Sequence, residues 1–285
     1  MKETNKIKAF SLIELSIVIL IVGILVAGVT QSSRLIRQMS LMTARNLTQS
    51  SPVFSITGIV SWIETTSQSS FSVDPEDGMA VPLINDLDIL SGPKLNFIQA
   101  TAAKQPIYKN SNFNGLPSIS FDGVDDEMVT SQILQVAEIA PMVKNTIFMV
   151  IRVYTSQVFF SYEKYDGLPR ITLQMNGNNV RWDYPNAGNV AIGTTNIIGK
   201  TVIITADSNK INQAIYINGN LDITRANSAD INFAHSIAIA IGGNNGNMFT
   251  KCDIAEVIIY DRYLKTEERK SIEQYLGKKW KIPVS

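Results

Sequence analysis

Twenty consecutive positions, Phe10 to Val29, are almost wholly apolar and carry a single charge, Glu14. Wound as an α-helix at about 1.5 Å per residue they span about 30 Å, the thickness of a bilayer's hydrocarbon core. The residues before them, Met1 to Lys8, are polar and include Lys2, Lys6 and Lys8. This run also accounts for much of an apolar excess: the chain is 45% hydrophobic and 18% charged, against roughly 25% charged for an ordinary soluble chain. A secretory signal peptide has a shorter apolar stretch, about 7–15 residues, before a small-x-small cleavage site. Glu14 would cost such a segment roughly 2.5–3.5 kcal/mol at mid-helix, so its presence there implies a role.

The sequence Lys8-Ala9-Phe10-Ser11-Leu12-Ile13-Glu14-Leu15-Ser16-Ile17-Val18 resembles the prepilin cleavage and methylation motif of type IV pilins and pseudopilins. The resemblance implies a cytoplasmic leader, residues 1–9, cut by a prepilin peptidase between Ala9 and Phe10, with N-methylation of Phe10. It also implies that Glu14, fifth in the mature chain, meets the amine of a neighbouring Phe10 during assembly. Expected partners are that peptidase, other pilin or pseudopilin subunits, and the membrane. The chain would be a single-pass protein of the inner membrane, N-terminus in the cytoplasm and the remainder outside, destined for a pilus or pseudopilus. Charge does not set this orientation, because Lys2, Lys6 and Lys8 are balanced by Arg34, Arg37 and Arg45 across the span. Two residues depart from the family pattern: Ala9 stands where glycine is usual, and Gln31 where major pilins often carry proline. Ala9 bears on the efficiency of processing. The missing proline, with Cys252 the only cysteine and hence no intrachain disulfide, fits a minor pilin or a pseudopilin better than a major pilin. The minor pilin is the reading taken, with a secretion pseudopilin as the alternative.

Beyond the span, Leu35, Ile36, Met39, Met42 and Leu47 recur at helical spacing opposite Arg34, Arg37, Gln38, Arg45 and Asn46, the pattern of an amphipathic helix packed on its own head. Pro52 predicts an end near Ser51, giving a helical domain of residues 10–51 (membrane span 10–29) and a head of residues 52–285. In the head, short β-branched runs alternate with Asn114-Gly115, Asp122-Gly123, Asp166-Gly167, Asn176-Gly177 and Asn218-Gly219, the turn chemistry of hairpins. Nine strands are expected between Ser118 and Tyr260, among them Ser236–Ile241, whose strict alternation predicts one buried face. Thr266 is expected to cap a closing helix packed by Leu264, Ile272, Tyr275, Leu276 and Trp280, with Lys278 and Lys279 complementing its dipole. The fold class is α+β: a long hydrophobic helix, an antiparallel β-sandwich of jelly-roll type and a short C-terminal helix. The stretches from Asn114 to Asp126 and from Ile254 to Arg262 resemble laminin-G-like, concanavalin A-like domains, which implies a binding or adhesion head.

Twenty-five basic and 25 acidic residues leave no field that would draw nucleic acid. Paired carboxylates of a glycosidase would have to share a face. Asp253 and Glu256, three apart on an expected strand, are predicted to point to opposite faces. His235 is the only histidine and no G-x-S-x-G elbow occurs. The expectation is therefore a chain that is not an enzyme and has no cofactor, calcium excepted. Asp122, Asp125 and Asp126 could offer oxygens to calcium, against the plainer reading that Asp-Gly turns bond local amides. Trp182 and Tyr184, with Tyr165, could stack on a glycan, against the plainer reading of sheet packing. The function expected is a pilin-like structural subunit displaying an adhesion or binding head. The rival from another class is a membrane-tethered carbohydrate-active enzyme or lectin.

Overall fold

The computed structural model describes residues 12–87, 94–131, 144–164, 167–183, 190–209, 211–226, 237–244 and 246–285. Ala9, Phe10, Tyr165, Asp166, Tyr184 and His235 lie outside the described residues. Helix α1, Leu12–Gln49, runs for 38 residues, about 57 Å at 1.5 Å per residue. Among the described residues it is the one helix long and apolar enough to cross a membrane, with a mean hydropathy of 2.8 over its most apolar 18 residues.

Only the last turns of α1 touch the head, through buried Ala44 and Thr48 and half-buried Leu47. At about 100° per residue, Leu35, Met39 and Met42 sit on the opposite side of the helix, with Ile36 flanking them. These four side chains are 58–64% exposed. The expected amphipathic packing against the chain's own head is thus corrected in part: Leu47 packs on it, whereas Leu35, Met39 and Met42 face away from it.

The head is two antiparallel eight-stranded sheets. One contains β1 (Ile59–Glu64), β4 (Ile107–Phe113), β5 (Leu116–Asp122), β7 (Asn145–Val153), β12 (Thr201–Ser208), β13 (Asn212–Ile217), β14 (Asn220–Ala226) and β16 (Lys251–Tyr260). The other contains β2 (Leu83–Ile84), β3 (Phe97–Ile98), β6 (Met128–Thr130), β8 (Val158–Lys164), β9 (Gly167–Asn176), β10 (Asn179–Asp183), β11 (Val190–Ile192) and β15 (Ile237–Ile241). Asn114-Gly115 and Asn218-Gly219 adopt positive φ at both positions and close the β4–β5 and β13–β14 hairpins, the conformation that favours these dipeptides. Alternate residues of both sheets, including Phe121, Met149, Phe160, Tyr162, Trp182 and Ile254, fill the core between them. On β15, Ala238 and Ala240 are buried as well as Ile239 and Ile241, so the expectation of one buried face falls short.

The outer face of the first sheet is covered by helix α2, Thr266–Trp280. Thr266 is its first residue rather than its cap. Lys265 is the cap residue, and its backbone N–H donates to Glu268 Oε2 at 2.8 Å. Beneath α2 lies a buried polar cluster centred on Lys279. Its Nζ donates to Glu64 Oε2 and Glu256 Oε2, both at 2.9 Å, and to Tyr275 Oη at 3.2 Å. Glu256 also accepts from Trp62 Nε1 (2.8 Å), Tyr275 Oη (2.8 Å) and Trp280 Nε1 (2.7 Å). Glu64 Oε2 further accepts the Thr66 amide and hydroxyl, both at 2.6 Å. Tyr275 Oη lies 3.5 Å from Thr48 Oγ1, which carries the cluster to the foot of α1. At the other end of α2, Thr205 donates to Glu273, Glu273 pairs with Arg269, and Asp207 is buried beside them. Burial pushes the Asp207 carboxyl up to about 7; Arg269 opposes the rise and Glu273 adds to it.

Removing Lys279 would leave two buried carboxylates without their cation, and breaking a buried ion pair costs about 3–5 kcal/mol. We expect Lys279→Ala to lower the unfolding free energy by that order in urea titrations of the full chain in detergent, followed by the fluorescence of the three head tryptophans. A loss below about 1 kcal/mol, the value of a surface pair, would contradict the cluster. Asp207 predicts a pH dependence of definite sign. Between its ordinary value of 3.8 and about 7 the folded state holds a proton that the unfolded state has released. Its contribution is therefore complete below pH ~4 and is lost as pH rises through ~7. Asp207→Asn should flatten that part of the stability profile, and an unchanged slope would contradict the assignment.

Candidate functional site

The acidic loop after β5 brings three predicted residues together. One carboxylate oxygen from each of Asp122, Asp125 and Asp126 lies within 4.8 Å of the others. Gly123 makes the turn at φ +79, where a Cβ would lie 2.5 Å from the Lys251 amide nitrogen. Asp122 Oδ1 accepts the amides of Val124 (2.7 Å) and Asp125 (3.4 Å), and Asp126 Oδ2 accepts the Asp122 amide at 2.9 Å. These bonds account for the loop's shape, as local Asx turns do. Burial, the main cause, and then the neighbouring carboxylates raise Asp126 above the ordinary range, which is the electrostatic setting a cation would relieve.

The aromatic platform does not form as expected. Trp182 is fully buried between the sheets, because its strand parity places it with Val180 on the inner face, and its ring offers no side to a sugar. Tyr184 falls outside the described residues. The parity argument about Asp253 and Glu256 also fails. A register shift between Ile254 and Glu256 marks a β-bulge in β16 against β7. An extra residue in a bulge reverses the alternation beyond it. Cys252, Ile254, Val257 and Ile259 therefore line the core while Ala255, Ile258 and Tyr260 face α2. Glu256 joins that outer face through Tyr275, Lys279 and Trp280. Asp253 is on the outer face too, accepting from Tyr154 Oη at 2.7 Å, with Arg152 at 4.0 Å. Cys252 is buried and burial pushes its thiol up, in keeping with a small hydrophobe in the core.

Glu14 lies in the first turn of α1, on its exposed surface and far along the helix from the head. A further surface was missed by sequence reasoning, which took Arg37 and Arg45 as a polar helix face and as charges flanking the span. They line a groove opposite Asp74, Glu76 and Asp77. The available signal was the segregation of charge, with only arginines on the upper helix and only acids in the Asp74–Asp77 loop.

Residues 4–30 match the family described as the prokaryotic N-terminal methylation motif. Residues 145–268 match the concanavalin A-like lectin/glucanases superfamily. No curated protein sequence matches the chain. Among solved structures, Trypanosoma rangeli sialidase in complex with sialic acid is similar at a TM-score of 0.54 and 12% identity, over 81% of this chain and 34% of that one. The binding domain of Paraclostridial Mosquitocidal Protein 1 is similar at a TM-score of 0.52 and 16% identity, over 78% of this chain and 52% of that one. The chain thus spans about a third of the sialidase's length and about half of the mosquitocidal protein's binding domain. The expectation of a chain without enzymatic activity is corrected by these findings. Its fold is shared with a sialidase, although Asp253 and Glu256, now on one face, are buried and hydrogen-bonded rather than open to a substrate. The chain joins the N-terminal methylation motif of type IV pilins and pseudopilins to a concanavalin A-like, laminin-G-like β-sandwich head.

Proposed function

We propose that the chain is a minor pilin-like subunit, cut before Phe10 by a prepilin peptidase and built into a filament through α1, with the sandwich displayed outside the membrane as a binding head. The observation that carries this reading is the apolar stripe Leu35, Met39 and Met42. It continues the hydrophobic surface of α1 beyond the length a bilayer needs, on the side the head leaves uncovered. A lone membrane anchor gains nothing from exposing these side chains to water, whereas a bundle of parallel helices covers them. Glu14 adds axial register: a carboxylate among apolar side chains is stabilised by a cation, and the methylated amine of a neighbouring Phe10 supplies one. A secretion pseudopilin would use the same helix and the same contacts.

Placing a charge in the stripe separates assembly from folding. Met39→Glu and Glu14→Leu are each expected to reduce recovery in sheared filaments by about tenfold or more, the effect of about 1.4 kcal/mol per contact. Membrane levels and head fluorescence should stay at wild-type values. Wild-type incorporation of both variants would remove the filament reading.

A second reading concerns the head, which shares its fold with a sialidase in complex with sialic acid and with the binding domain of Paraclostridial Mosquitocidal Protein 1. These support a glycan-binding or glycan-processing head. Saturable binding, or hydrolysis, of sialylated glycans by the purified chain would support it, and neither on a broad glycan array would remove it.

A further inference from the structure

Where α1 meets the head, a groove of about 410 Å³ carries opposite charges on its two walls. Arg37, Leu41 and Arg45 form the helix wall and Asp74, Glu76 and Asp77 the other, with Tyr108 and Asn110 between them. Both walls are held in place. Arg45 Nε donates to the Thr66 carbonyl at 2.7 Å, and Asp77 Oδ1 accepts the Asn110 amide at 2.9 Å. Yet among the described residues no ion pair within 4.0 Å joins the walls. The groove therefore presents cations and anions, Arg45 and Asp77 among them held in place, that no ion pair joins across it among the described residues. Such preorganised charges favour an occupant of matching polarity, carrying an anion toward the helix and a cation toward the loop.

The chain itself carries such an occupant. Glu267 and Lys270 lie on the solvent face of α2, both exposed, and neither is in an ion pair among the described residues. Three apart on a helix, they are neighbours on its surface, about 5–6 Å apart at Cβ. Position allows the contact between copies. In one chain α2 abuts α1 at Thr48, three to eleven residues beyond Arg45 and Arg37. A second copy displaced along the helix axis by about 5–16 Å, at 1.5 Å per residue, brings its α2 level with the first copy's groove. A groove meeting a different surface of an identical copy is a heterologous contact, and heterologous contacts that do not close generate open helical arrays.

We propose that this groove is the socket for α2 of a second copy of the chain, with Glu267 toward Arg37 and Arg45 and Lys270 toward the Asp74–Asp77 loop. The inference rests on the filament reading and adds a head-level contact to it. It is tested by co-expressing two full-length copies with different tags, one Asn110→Cys and one Gln274→Cys, under mild oxidation. The native Cys252 is buried and leaves little background. A disulfide adduct containing both tags is expected, reduced about tenfold when Arg45→Gln and Asp77→Asn are added or when 0.5 M salt screens the contact. Lack of the adduct, or an adduct insensitive to those changes, overturns the socket. Co-isolation of the two tags in sheared filaments is read in the same experiment. Filaments without the adduct sink the socket alone, whereas no filaments and no adduct sink the filament reading with it.

Discussion

Lys279 joins parts of the chain that are far apart in sequence. Its three ammonium donors go to Glu64 on β1, to Glu256 on β16 and to Tyr275 one turn earlier on α2. Tyr275 in turn reaches Thr48 at the foot of α1. Both Glu256 oxygens are fully employed, each accepting two bonds. A buried charge is tolerated only when paired and hydrogen-bonded, and bonds that engage every Lys279 donor and both Glu256 oxygens, with Glu64 Oε1 left without a partner, favour one arrangement of the elements they join. The sheet, the closing helix and the root of the long helix are thereby held together at a single point.

The cluster also explains the bulge in β16. Its first half, Lys251–Ile254, pairs with β5, and its second half, from Glu256, pairs with β1. The extra residue at the changeover turns Glu256 toward Lys279 while Ile254 and Val257 both keep to the core. The Thr65 amide donates to the Ala255 carbonyl at 3.1 Å, and its hydroxyl to the Pro117 carbonyl at 2.7 Å, sealing the junction between the two partner strands. Pairing, packing and electrostatics are here satisfied by one irregularity.

The elements that announce themselves locally were legible in the sequence. The apolar run gave α1, Pro52 its end, β-branched runs the longer strands, and Asn-Gly pairs two of the hairpins. Features set by distant partners were not. Lys279 looks like an ordinary last-turn lysine until Glu64, some two hundred residues earlier, is seen beside it. The parity of Asp253 and Glu256 was read on an ideal strand, and a bulge carries no signal in those residues alone. Trp182 was ambiguous because a buried and an exposed sheet face share the same alternation. The stripe on α1 was seen as a pattern, but only the position of the head shows which side of the helix it covers. Of the pair β13–β14, Ala214–Ile217 was expected as a strand and Asn218-Gly219 as its turn, but not β14, since Asn220–Ala226 is an exposed edge with little apolar patterning.

The central claim, that a methylation-type helix carries this sandwich into a filament, is tested most directly by intact and N-terminal mass spectrometry of the protein from its native membrane. The account predicts a chain beginning at Phe10, lacking residues 1–9 and bearing a methyl group on its new amine. A chain that keeps Met1, or one cut after Gly28 with α1 removed, would contradict it.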